Sequence, residues 1–423
     1  MTAISILALG AIALSATPAP ERVWAVTNLR ILTVSSPPID RGTILVTGER
    51  ITAVGASVRI PVGAQVVDGA GLTASPGFID LGTGIGLTEI AQVPAANDAD
   101  ESSDPLTPHV RAADAYFLDS ELIPVVRAAG TTIILSTPGP SNVIAGQSAL
   151  MRTAGESLSD VAVVERAALH VNLGEGPKLV WGGRGRAPVT RQGIASLLRQ
   201  TLQQARDYAA RRAANPTSPS DPKLEAVAEA VAGGLPVVVR AQRRDDILLG
   251  LEIAREFGLK MILSGGADAP RVAAQLREQR VPVIVQIDQQ PDGFENAAAA
   301  YGNAARLNAA GVIVAFQSNE VTLSRNLVPN VGLAVAYGLS PEDALRALTL
   351  NAARIFGVDD RLGSIEVGKE ATFILTRGDP LQVRSHVNAI YIRGRRYPPR
   401  SYQTVLCETY IAPKGRGIPC LSQ

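Results

Sequence analysis

Metal and nucleophile chemistry needs a few residue types, and this 423-residue sequence is poor in them. It holds 3 histidines (His109, His170, His386) and 2 cysteines (Cys407, Cys420). Two cysteines cannot build a four-thiolate zinc or iron–sulfur centre, and scattered histidines restrict any imidazole-built one. His109, in Leu106-Thr-Pro-His-Val110, sits where a loop meets a helix and reads as a surface or packing residue. His170 opens a short apolar run, at the strand end away from a barrel's functional face, and reads as structural. His386 falls in a β-rich flank, remote from barrel chemistry. Glu89 and the run Asn97-Asp-Ala-Asp-Glu101 carry oxygen donors of the kind calcium takes, but read as solvated loop charges. Gly82-x-Gly84 and Gly174-x-Gly176 lack the strand–loop–helix setting of a phosphate loop. No Gly-x-Ser-x-Gly elbow supports a nucleophilic serine.

The elements that must position such residues are legible in outline. The chain is 46% hydrophobic and 19% charged with a formal net charge of +1, an ordinary globular composition without the basic footprint of a nucleic-acid binder. Residues 1–20 carry no charged side chain, and the apolar stretch 4–14 fits the core of a signal peptide better than a membrane span. Export would place Cys407 and Cys420 in an oxidising compartment, where a disulfide would close a 14-residue loop worth about 3 kcal/mol. Two unpaired thiols are the alternative. Short alternating strands are expected at 23–26, 44–47 and 51–54, and again at 372–375 and 387–392. Between these flanks, strands at 77–80, 131–135, 170–173, 236–239, 260–263, 281–285 and 311–314 alternate with helical stretches at 195–212, 224–231, 245–257, 269–278 and 341–355. That alternation predicts a parallel α/β barrel, with the β-rich flanks pairing into one small sandwich beside it.

Several stretches resemble the amidohydrolase superfamily, most of all its imidazolonepropionase-like group. They are Pro76-Gly-Phe-Ile-Asp80, Asn142-Val-Ile-Ala-Gly-Gln147, Gly174-Glu-Gly-Pro-Lys178, Arg244-Asp-Asp-Ile247, Asn351-Ala-Ala-Arg-Ile-Phe-Gly357 and Gly363-Ser-Ile-Glu-Val-Gly-Lys369, in that order across residues 23–395. The resemblance implies a (β/α)8 TIM-type barrel at 76–360, a composite β-sandwich from 21–75 and 361–400, and a tail at 401–423. It also implies one or two divalent metals at the carboxyl ends of the barrel strands. There a metal polarises a carbonyl and activates the water that attacks a C–N bond.

The same resemblance places most expected ligands on residues that cannot ligate. The strand-one His-x-His pair falls on Gly82 and Gly84, later histidine positions on Arg240, Gln242 and Gly265, and the final aspartate on Asn319. A guanidinium about 5 Å from a dication would cost roughly 6 kcal/mol at an effective dielectric of about 20. Glu175 alone remains as a mid-barrel carboxylate, and no metal or other cofactor is expected. Asp80 is expected to be a structural hydrogen-bonding residue beneath the rim. Three functions stay open. One is an exported pseudoenzyme that partners or regulates an active relative, in a homo- or hetero-oligomer. Another is a hydrolase of dipeptide or other C–N bonds, with Arg240 as electrophile and Glu175 as base. The third is a periplasmic binder of small peptides or cyclic amides, using a pocket of Glu175, Arg240, Gln242, Gln317 and Asn319; Glu175 and Arg240 could equally form a plain ion pair. No nucleic acid and, after leader cleavage, no membrane span is expected.

Overall fold

The structure is a computed structural model that describes residues 22–287, 294–295, 297 and 299–411. The expected leader at 1–20 and Cys420 lie outside the described residues. The first strands are β1 (Val23–Ile31), β2 (Ile39–Thr47), β3 (Arg50–Gly55), β4 (Gln65–Asp68) and β5 (Thr73–Pro76). Gly48, at φ +60°, supports the two-residue turn between β2 and β3, a conformation glycine takes without strain. The barrel strands follow: β6 (Phe78–Thr83), β7 (Thr131–Ser136), β8 (Ile144–Arg152), β9 (Ala162–Asn172), β10 (Val237–Ala241), β11 (Met261–Gly265), β12 (Val283–Gln286) and β13 (Val314–Gln317). The chain returns through β14 (Phe373–Arg377), β15 (His386–Ile392) and β16 (Arg395–Tyr397).

The flanking strands form one sheet, in the order β16-β15-β14-β5-β1-β2-β3 with β4 on β1, so both flanks contribute to it. The joining ladder is β5 against β14, antiparallel, with Ala74 opposite Leu375. Two strands separate β1 from β15, yet Trp24 stacks on Tyr391 at 4.6 Å, so the sheet curls over a shared apolar core. Burial of these aromatic faces is the main stabilising force there.

The second sheet runs β6 to β13 in sequence order. It is an eight-strand barrel that is nearly closed, and its seam is made by side chains as well as backbone. The Asn319 N–H donates to the Gly82 carbonyl at 2.8 Å, and the Ser318 N–H to Asp80 Oδ1 at 2.9 Å. One strand departs from the all-parallel expectation: β8 is antiparallel to both β7 and β9. Strand alternation separates two cores. Ile79, Ile133, Leu150, Ala168, Val238, Ile262, Ile284 and Ala315 fill the interior. Leu169, Val171, Val237, Val239, Leu263, Val283 and Phe316 face the helices outside.

The helices follow their signals closely. Arg244–Phe257 buries Asp246, Ile247, Gly250, Leu251, Ala254 and Phe257 at helical spacing and stops at Gly258, φ +68°. Thr190 caps Arg191–Ala214 by accepting the Gly193 N–H at 3.0 Å. The stretch expected as one helix at 341–355 is two, Pro341–Leu348 and Leu350–Ile355. Thr349 leaves helical dihedrals between them (φ −132°, ψ −87°), and its hydroxyl donates back to the Leu345 carbonyl. Among the described residues, no helix is long and apolar enough to cross a membrane.

Candidate functional site at the barrel mouth

In a barrel of this kind the strand carboxyl ends surround the functional face. The interior positions below that rim are apolar; those at the rim are not. Continuing the inward alternation past Ala168 and Val238 brings His170 on β9, Arg240 on β10, Ser264 on β11 and Gln317 on β13 to the mouth, with Asn319 just beyond β13. The β9–β10 ladder sets Val238 opposite His170 and Arg240 opposite Asn172.

These groups bind one another. Arg240 donates to Asn319 Oδ1 at 2.9 Å, and the Ser264 hydroxyl donates to Gln317 Oε1 at 3.0 Å. Gln242 accepts the Ala267 N–H at 3.1 Å. Asn319 holds a left-handed backbone, φ +50°, which asparagine tolerates better than most residues.

The glycines at 82, 84 and 265 are each closely approached by a neighbouring side chain. A Cβ at Gly82 would lie 2.4 Å from Gln317 Oε1 and 3.2 Å from its Cβ. At Gly265 it would meet the Gln242 amide at 2.4 Å, on a backbone at φ +90°. At Gly84 it would approach Val321 at 3.0 Å. The space beside three expected ligand positions therefore belongs to other side chains. Glycine, carboxamides and a guanidinium also form a poor donor set for zinc or iron, because neutral amides bind weakly and a guanidinium repels cations. The metal that the resemblance implies does not fit these residues. Among the described residues, no three His, Cys, Asp or Glu side chains are grouped to hold an ion.

Two sequence expectations change. His170 does not open its strand: β9 begins eight residues earlier, at Ala162, so His170 lies near the mouth. Burial, then the Arg240 guanidinium, drives its imidazole down to about 3, leaving it neutral at physiological pH. Its Nε2 is buried and has no hydrogen-bond partner. The alternation of small and polar inward residues, Ala168, His170, Asn172, was the available signal. Glu175 is the first residue of the helix Glu175–Gly183, and its ion pair, at 4.0 Å, is with Arg191. Arg191 also binds Asp246 at 3.1 Å and pairs with Glu295, a cluster the sequence did not announce. Burial and the nearby Glu175 raise the Glu295 carboxyl above its usual range.

Asp80 is buried and accepts the Ser318 and Gly82 N–H groups, at 2.9 and 3.2 Å. Burial outweighs those donors and pushes its carboxyl up to about 7. It holds the seam, as expected. His109 and His386 lie away from these residues in sequence and element.

Comparison with known proteins agrees with this architecture. A family model described as the amidohydrolase family matches residues 242–398. The amidohydrolase tasK of Hapsidospora irregularis is 24% identical over 389 residues, covering 84% of this chain and 39% of that protein. The chain thus spans about two fifths of that relative's length. The imidazolonepropionase of Shewanella baltica strain OS185 is 49% identical over 49 residues, 12% of each protein. A crystal structure of an amidohydrolase from Thermotoga maritima superposes with a TM-score of 0.85 at 29% identity, covering 88% of this chain and 98% of that one.

Proposed function

We propose that this chain, which belongs to the amidohydrolase superfamily, has exchanged metal-dependent hydrolysis for a non-catalytic role as partner or regulator of an active relative, exported by its first 20 residues. The observation that carries the reading is the filled mouth: Gln317 and Gln242 occupy the space beside Gly82 and Gly265. A scaffold kept intact around a mouth of amides and one guanidinium suits assembly better than activation of water. Purified protein should show no turnover of a dipeptide and cyclic-amide panel, with or without added zinc, iron or manganese. Near-stoichiometric bound metal with metal-dependent hydrolysis overturns the proposal. Co-purification of a histidine-complete relative from the native source supports the partner role.

One observation favours a second reading, the binding of a small peptide or cyclic amide. The buried, unpartnered Nε2 of His170 lies one layer below Arg240 and offers a ligand a neutral hydrogen-bonding group beside a cation. Ligand-dependent thermal stabilisation without turnover would select it. The hydrolytic alternative has less support, because the ion pair of its base, Glu175, runs to Arg191.

A further inference from the structure

A cationic concavity lies at the opposite end of the barrel from the mouth, around the amino ends of β10, β11 and β12. Its volume is about 590 Å³, within the usual range of small-molecule sites, and Pro236, Met261 and Pro282 mark the feet of those strands in its wall. Arg255, Lys260 and Arg280 line it, and no carboxylate does. All three cations are exposed, and among the described residues none forms a side-chain hydrogen bond or ion pair. The acids next to Arg255 along its helix, Glu252 and Glu256, are both engaged by Arg199. Like charges gathered over one concavity create a local field that attracts anions, in a chain whose formal net charge is only +1.

The backbone at Arg280 is a second, independent sign. The helix Ala273–Glu278 ends in a turn where the Val281 N–H donates to the Leu276 carbonyl at 2.9 Å and the Arg280 N–H to the Arg277 carbonyl at 3.0 Å. Such a turn needs one left-handed residue, and glycine is its usual occupant. Gly258 takes that place at the end of Arg244–Phe257, on the same concavity, at φ +68°. Arg280 takes it at φ +55°. A side chain is strained there and glycine is not, so the position gives up stability to keep a cation at the pocket. We propose that this pocket binds a small organic anion with at least two negative charges, a phosphate ester or a dicarboxylate, held by Arg255, Lys260 and Arg280. A guanidinium takes two oxygens of either group at once, and three cations without an acid match a multiply charged ligand. Leu259, Val281 and Ile355 also line the pocket, so an anion with an apolar body buries carbon surface along with its charge. The site is independent of the role proposed for the mouth.

Isothermal titration calorimetry of the full chain with phenyl phosphate, phthalate and neutral phenol tests this. One equivalent of phenyl phosphate or phthalate should bind and phenol should not; the tighter of the two anions identifies the ligand's class. Lys260→Gln should weaken the Kd roughly tenfold or more. Arg280→Gly should weaken it as much while raising the Tm, because glycine relieves the left-handed turn. The exposed Lys260→Gln keeps the test decisive should Arg280→Gly disturb the turn. Absence of binding by both anions overturns the proposal, as does undiminished binding in the two pocket variants. Binding lost in Arg240→Ala but kept in Lys260→Gln overturns it too, because the mouth would then be the anion's site.

Discussion

Two arginines stand at opposite ends of the barrel interior and are held differently. Arg152, at the lower end on β8, donates to both oxygens of Glu370 at 3.2 and 2.6 Å and to the carbonyls of Asp160 and Ala162. Both side chains are nearly buried, and Glu370 belongs to the segment leading into β14, so the pair ties the barrel to the curled sheet. Arg240, at the upper end, donates to the neutral amide of Asn319. The lower guanidinium meets a carboxylate that fixes two sheets together; the upper one meets Asn319, the residue at which the expected final aspartate position falls. The contrast separates where the fold is secured from where its chemistry was free to change.

Breaking the lower pair should therefore have the largest effect. Arg152→Ala leaves Glu370 buried without its cation and is expected to cost about 3–5 kcal/mol in urea unfolding.

The seam offers an intermediate test. Asp80 has a folded pKa of about 7, above its ordinary 3.8, so the native state retains a proton that the unfolded chain releases between those values. Its contribution is complete below about pH 4 and is lost as pH rises through 7, at most about 4 kcal/mol. Asp80→Asn keeps an acceptor for the Ser318 and Gly82 N–H groups and should flatten this part of the stability–pH curve. An unchanged curve in the variant would remove Asp80 as its source.

The smallest effect should come from the mouth itself. Gly82→His forces the new side chain against Gln317 and is expected to destabilise by about 1–3 kcal/mol. Adding Gln317→Ala should recover part of that loss, and the non-additivity measures how fully the amide occupies the site. A single Gly82→His that binds zinc without destabilisation would show the mouth to be empty rather than filled.

Much of this was legible in the sequence, and the exceptions have physical causes. The helix Arg244–Phe257 and the parallel strands β10 to β13 carry strong periodic or continuous apolar signals, and the glycines at 82, 84 and 265 were visible as missing donors. β8 was not, because all nine of its residues are buried and Ile-Ala-Gly-Gln-Ser-Ala-Leu-Met-Arg shows no alternation. His170 was misplaced because Glu165 and Arg166 interrupt β9 and hide its true start. Gln242 drew notice as a ligand substitute, and both Gln242 and Gln317 as members of a polar pocket, rather than as fillers. That each occupies the space beside a glycine on a neighbouring strand is a long-range fact, which local pattern cannot supply.

The reversed β8 has a further consequence, in the order of assembly. β7, β8 and β9 are joined by the connections 137–143 and 153–161, so their pairing closes short loops. Each parallel pair that follows must bring together strands separated by a helix, at a greater loop-closure cost. The meander can thus gain contacts before more distant segments of the barrel meet. In a chain built mostly from distant pairings, one inverted strand supplies a local starting point.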